Sequence, residues 1–153
     1  MDPAFDRVAR FSIDDEEVSA SEAIEAAELR ATLRRFMGRS ERIARASGLT
    51  PQRQLLLLMI KGAPDRSETS TVTELTARLR LAHSTVAELV DRAVAAGLVE
   101  RRRSRTDQRV VELRLAAEGE RRLADSIRDQ RGERQRLLAA LSNLPQQADG
   151  EGA

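Results

Sequence analysis

Residues His83–Gly119 read HSTVAELVDRAVAAGLVERRRSRTDQRVVELRLAAEG, and this stretch decides the fold. Its first half has a helical period: Val86, Leu89, Val90, Ala93 and Val94 recur at three- and four-residue steps, and the pattern stops at Gly97. The helix begins near Ala82, so its outward N-terminal positions are His83, Ser84 and Thr85, followed by Ala87, Glu88 and Arg92. After Gly97 the period becomes two. Leu98, Val99 and the bases Arg101, Arg102 and Arg103 precede a polar segment, and Val111, Leu113 and Leu115 then alternate with Val110, Glu112 and Arg114. That pattern predicts a β-hairpin with Ser104–Arg109 at its tip.

Upstream, Val72-Thr73 opens a short helix with Thr73 as N-cap and Leu75, Ala77 and Leu79 facing inward. Only a few residues separate it from the helix at His83, which is the pattern of a helix-turn-helix. Before it, Gly62 and Pro64 close a helix that starts at Thr50-Pro51, and APDRSETS reads as a polar loop. Leu55–Ile60 is apolar all round, so that helix should be buried on several sides. A long first helix runs from a capping box at Ser19-x-x-Glu22 to Gly48, its predicted C-terminal cap. Residues 1–18 show no sustained period and read as an acidic mobile arm, with Phe5, Val8, Phe11 and Ile13 as candidate anchors.

Downstream of Ala116 a helical period resumes with Leu123, Ile127, Leu137, Leu138, Leu141 and Leu144, and Gly132 is placed to kink or divide it. Pro145 ends the structure and residues 146–153 read as a disordered tail. The expected fold is mainly α with a small β-hairpin wing. A winged helix-turn-helix lobe covers 50–115, and long N- and C-terminal helices, 19–48 and 116–145, form a dimerisation region.

Composition removes several function classes. The chain has no Cys, which excludes disulfides, thiolate metal sites, cysteine nucleophiles and thiol redox sensing. His83 is the only His, so a histidine-rich zinc site has no ligands and no metal is expected. Glu118 and Glu120 beside Arg121 and Arg122 read as a charged helix face. With no nucleophile–base–orienter set, no phosphate-cradling glycine loop and no cofactor fingerprint, the chain is expected to be neither an enzyme nor a cofactor carrier. No apolar run approaches the roughly 18 residues of a membrane span, and MDPAFDRVARFSIDDEEV has neither a basic start nor an apolar signal core. A soluble, cytoplasmic protein without a membrane partner is the expectation.

The net charge of +1 hides an asymmetry, because the first thirty residues carry nine acids against Arg7, Arg10 and Arg30 and leave +7 on the rest. A polyanionic partner fits that distribution. The hairpin concentrates it, with Arg101, Arg102, Arg103, Arg105 and Arg109 against Glu100 and Asp107. Two uses are open to such a ribbon. It is a solvated hairpin whose arginines block edge pairing, or it reaches the DNA minor groove while the preceding helix reads the major groove.

The same residues carry a family resemblance. S-T-V-x-x-L-V-D-R over 84–92, A-G-L-V-x-R over 96–101, Asp107-Gln108-Arg109, and a strand running into x-x-E-G at Gly119 resemble the core of the MarR (multiple antibiotic resistance regulator) family. The order of helices extends the likeness over roughly 20–144. The resemblance implies a double-stranded DNA partner, with Arg109 in the minor groove, Asp107 bracing the wing through a salt bridge, and Ser84, Thr85 and Glu88 near bases and phosphates. Ala82 and Ala116 depart from it, standing where a capping Ser or Thr is usual. It also implies an intertwined homodimer on a pseudo-palindromic operator and a small-molecule effector. The effector cleft would be walled by the first two helices and the fifth, with Arg34, Arg35, Arg39 or Arg42 to meet an anion. The competing expectation is a winged-helix interaction or antagonist module whose acidic arm contacts a basic partner or its own wing.

Overall fold

The computed structural model describes residues 18–144. All but Val18 of the expected acidic arm, with its anchors Phe5, Val8, Phe11 and Ile13, and all of the expected tail lie outside the described residues. Among those described, six helices and one hairpin follow in the order α1 (Ala20–Ala46), α2 (Pro51–Lys61), α3 (Val72–Leu79), α4 (His83–Ala95), β1 (Val99–Arg103), β2 (Val111–Leu115), α5 (Ala117–Asp129) and α6 (Arg131–Ser142).

Local hydrogen bonds set the helix ends. Ser19 Oγ accepts from Glu22 N–H at 3.2 Å, and Glu22 Oε2 accepts from Ser19 N–H at 3.3 Å, which completes the capping box of α1. At the other end Gly48 adopts φ +75°, its N–H donates to Arg45 O, and Leu49 N–H donates to Ala44 O, both at 3.0 Å. Gly97 repeats this ending after α4 with φ +72°, donating to Val94 O while Leu98 N–H donates to Ala93 O at 2.9 Å. In both cases the next residue, Leu49 or Leu98, turns into the core.

Helix α2 is the centre of the packing, touching α1, α3, α4, α5 and β2. Thr50 caps it by accepting from Arg53 N–H at 3.2 Å, and Leu56, Leu57 and Ile60 are fully buried. Burial is not complete all round, because Leu55 remains 42% exposed. Arg78 of α3 donates to Met59 O and Gly62 O, closing the carboxyl end of α2. Leu75, Val86, Val90, Leu98, Leu113 and Leu123 fill the space around α2.

The start of α3 corrects the sequence reading, since Thr71 and not Thr73 is the N-cap. The reason lies three residues on. Thr71 has Glu74 there to complete a capping box, with Thr71 N–H donating to Glu74 Oε2 at 2.8 Å, whereas Thr73 has only Thr76. Ala77 is exposed rather than inward. Arg80, left-handed at φ +55°, with Leu81 and Ala82, makes the tight turn into α4.

The hairpin pairs Val99 with Leu115, Arg101 with Leu113 and Arg103 with Val111. Leu113 and Leu115 are buried and Val111, nearer the tip, is exposed. The APDRSETS loop does more than connect: Ser70 N–H donates to Leu113 O at 3.0 Å and Leu113 N–H to Ser70 O at 2.8 Å, adding a one-residue third strand. The C-terminal run divides at Gln130, two residues before Gly132. Gln130 is buried there, its Oε1 accepting from Gln54 Nε2 at 2.8 Å and its Nε2 donating to Ser40 O at 3.0 Å. Gln54 Nε2 also donates to Ser126 Oγ at 2.9 Å, so one polar node joins α1, α2 and the α5–α6 junction.

Candidate nucleic-acid interface

The α3–α4 turn leaves the first turn of α4 in solvent, with His83, Ser84 and Thr85 all exposed. Ala82 offers no capping oxygen, so the leading amides of α4 have no side-chain partner. Such amides, at the positive end of the helix dipole, suit an anion. One turn on, Ala87 is half-buried, and exposed Glu88 is ion-paired to exposed Arg92 on the same face. This pairing lowers the net charge that Glu88 presents.

The wing begins where Asp91 of α4 pairs with Arg101 of β1. That contact ties helix and hairpin into one unit and commits Arg101 to holding it. At the tip, Ser104 is buried, its N–H donates to Val110 O at 2.9 Å, and its Oγ accepts from Thr106 N–H at 3.3 Å. Arg103 donates to Gln108 O at 2.8 Å, across the same turn. Asp107 accepts three times from Arg109: from its backbone N–H at 3.1 Å, from Nε at 3.2 Å and from Nη2 at 3.3 Å. The Arg109 guanidinium beside it, then the Arg109 backbone N–H, hold the Asp107 carboxyl below its ordinary range. The Arg109 side chain nevertheless remains 91% exposed. The result is a guanidinium aimed outward from a turn that its own partner rigidifies. Arg102 lies 3.6 Å from Glu100, and Arg105 has no ion pair among the described residues.

The structure thus brings His83, Ser84, Thr85, Ala87, Glu88 and Arg92 together on α4, and Arg101, Arg102, Arg103, Arg105, Asp107 and Arg109 together on the wing. Sequence reasoning missed Asp91, whose partner is ten residues away on another element, and Ser104, whose hydroxyl organises the turn. The four arginines expected to meet an effector lie on exposed positions of α1. Arg39 pairs with Glu133 of α6 at 3.1 Å and Arg35 donates to Thr32 at 3.1 Å. Both line a groove of about 130 Å³ between α1 and α6, to which Arg34 and Arg42 do not contribute. Among the described residues no group of His, Cys, Asp or Glu could hold a metal ion, and no helix is long and apolar enough to cross a membrane.

A helix-turn-helix with a braced, arginine-bearing hairpin defines the class, a winged helix-turn-helix protein. Residues 47–110, from the end of α1 through the wing tip, match the family model of the MarR family. The whole described fold is similar to AbsC, a MarR family transcriptional regulator from Streptomyces coelicolor, with TM-score 0.67, 16% identity, and 82% of this chain and 83% of that one covered. The transcriptional regulator Tm0710 from Thermotoga maritima is similar at TM-score 0.56 and 25% identity, covering 74% and 77% of the two chains. A point mutant of MepR from S. aureus, solved bound to an oligodeoxyribonucleotide, is similar at TM-score 0.58 and 16% identity, covering 83% and 87%. No curated protein sequence matches the chain.

Proposed function

We propose that this protein is a DNA-binding transcriptional regulator, a repressor that binds a pseudo-palindromic operator as a homodimer. The observation that carries this reading is Arg109, held by Asp107 at the tip of a hairpin that Arg101 and Asp91 fasten to α4. With α4 in the major groove, Ser84, Thr85 and Glu88 reach base edges and phosphates, the free amides of α4 meet a phosphate, and Arg109 enters the adjacent minor groove. The DNA bound to MepR, a protein of similar fold, supports the same partner for this chain. The work is binding rather than catalysis, and it is done in the cytoplasm.

The dimer is supported by what the described residues leave uncovered. Helix α1 has one buried residue, Ala44, and α6 has none, while Ile24, Leu33 and Met37 of α1 and Leu138 of α6 are exposed. A second copy laid along these helices buries them and sets two recognition helices about one DNA turn apart. The α1–α6 groove of about 130 Å³ is smaller than the roughly 300–1,000 Å³ of small-molecule sites, so the partner would complete an effector pocket around Arg35 and Arg39. Arg34 and Arg42 remain candidates to meet an anionic effector outside that groove.

The test is fluorescence anisotropy on DNA upstream of the protein's own gene, and on duplexes selected from a random pool, across a salt series. Saturable, competitor-resistant binding is expected, with Arg109→Ala weaker and its salt slope reduced by about 1. If no duplex binds above background, the interaction-module reading replaces this one.

A further inference from the structure

The outer face of the wing extends the basic surface from the tip along the strands, past Arg109 to Arg114. In the hairpin register Glu100 lies opposite Arg114 and Arg102 opposite Glu112, so these four share one face. The reverse face buries Val99, Leu113 and Leu115. Arg102, Glu112 and Arg114, the tip residues Arg103 and Arg105, and Ser67 and Thr69 beside β2 belong to the lining of a groove of about 370 Å³.

Its charge is poorly neutralised. Arg102 and Arg114 divide one carboxylate, Glu100, at 3.6 and 3.4 Å. Arg103 ends on a carbonyl, Gln108 O, rather than on an acid. Glu112 and Arg105 form no ion pair among the described residues. Four guanidiniums therefore share the surface with two carboxylates, and none is tied to a neighbouring helix in the way Arg101 is tied to Asp91 of α4.

We infer that this groove is a second phosphate-binding surface, which takes the backbone of the same duplex just beyond the minor groove entered by the wing tip. The inference rests on the DNA-binding reading above. At about 3.4 Å per strand residue, Arg114 lies within about 17 Å of Arg109. A duplex presents one charge per roughly 1.7 Å of axis, so a seated tip brings flanking phosphates alongside Arg105, Arg102 and Arg114. Planar guanidinium forks match phosphate oxygens. An open surface with several exposed cations suits a polyanion that releases counterions more than a single small anion, which needs an enclosed site.

Salt-dependent anisotropy tests this on a selected operator duplex, extended by about one helical turn (~10 base pairs) on each side and also trimmed back to the tip contact. Arg102→Gln/Arg114→Gln should lower the salt slope by about 2 on the extended duplex and by nothing on the trimmed one. Glu112→Gln, which removes a negative charge from the same face, should tighten binding to the extended duplex, an effect that misfolding cannot mimic. Equal slopes for wild type and the double variant on the extended duplex, together with no gain from Glu112→Gln, would overturn the inference while leaving operator binding intact. Failure of wild type to bind either duplex would instead remove the DNA-binding reading beneath it.

Discussion

Glu118 accepts from Arg121 at 2.6 Å and Arg122 at 2.7 Å, and these two guanidiniums, Arg121 first, pull its carboxyl from 4.5 down to about 2. A depressed acid contributes stability that is fully present above its unfolded value and lost as pH falls through its folded value. The window is therefore about 4.5 down to about 2. Across it the thermal midpoint of wild type should fall more steeply than that of Glu118→Gln, and parallel melting curves would show that the pair adds nothing. Arg122 also donates to Gly48 O at 2.8 Å, so the cluster links the start of α5 to the end of α1. Asp107 is lowered in the same sense by Arg109, so acid should loosen the wing only below the usual aspartate range.

Two element junctions are decided by a missing or added side-chain atom. A Cβ on Gly119 would lie 2.1 Å from Leu98 O, the carbonyl that already accepts Ala116 N–H at 2.9 Å. Backbone cannot give way there without separating α5 from the hairpin. Gly119→Ala should destabilise the protein by about 1–3 kcal/mol in denaturant melts, and an unchanged midpoint would refute the close approach. Ala82 is the opposite case, an N-cap in extended geometry (φ −61°, ψ 146°) with no oxygen to offer. Ala82→Ser should add about 1 kcal/mol to stability by accepting from the first turn of α4. An unchanged midpoint in denaturant melts would show that the first turn of α4 gains nothing from a capping oxygen.

At the scale of the whole molecule, α1 and α6 expose apolar side chains that no other described residue covers. Met37 is 61% exposed and Leu138 is 64% exposed. If a second copy covers them, Met37→Glu and Leu138→Glu bury an unpaired charge in the assembly and should shift the mass from dimer to monomer at micromolar concentration. Light scattering reads this directly, and a monomeric wild type would defeat the dimer. The buried node of Gln54, Ser126, Gln130 and Ser40 lies where these helices meet α2. It fixes how the helical region sits on the winged lobe, since breaking it strands buried polar groups at about 1–3 kcal/mol each.

The ends of the helices and the hairpin were legible in the sequence because their hydrogen bonds close within a few residues. The Ser19 capping box, the Thr50-Pro51 start, and the left-handed Gly48 and Gly97 are of this kind, and Asp107-Gln108-Arg109 carries its own brace within three positions. The Thr71 cap is equally local: Glu74 stands three residues on to complete the box, whereas Thr73 has only Thr76 there. Tertiary structure alone decided the pairing of Asp91 with Arg101, the strand contact of Ser70 with Leu113, and the burial of Gln54, while Gln52 on the same helix stays exposed. It also decided which partners the wing arginines have among the described residues. Those outcomes depend on elements brought together across ten to ninety residues, where spacing along the chain carries no record of distance in space.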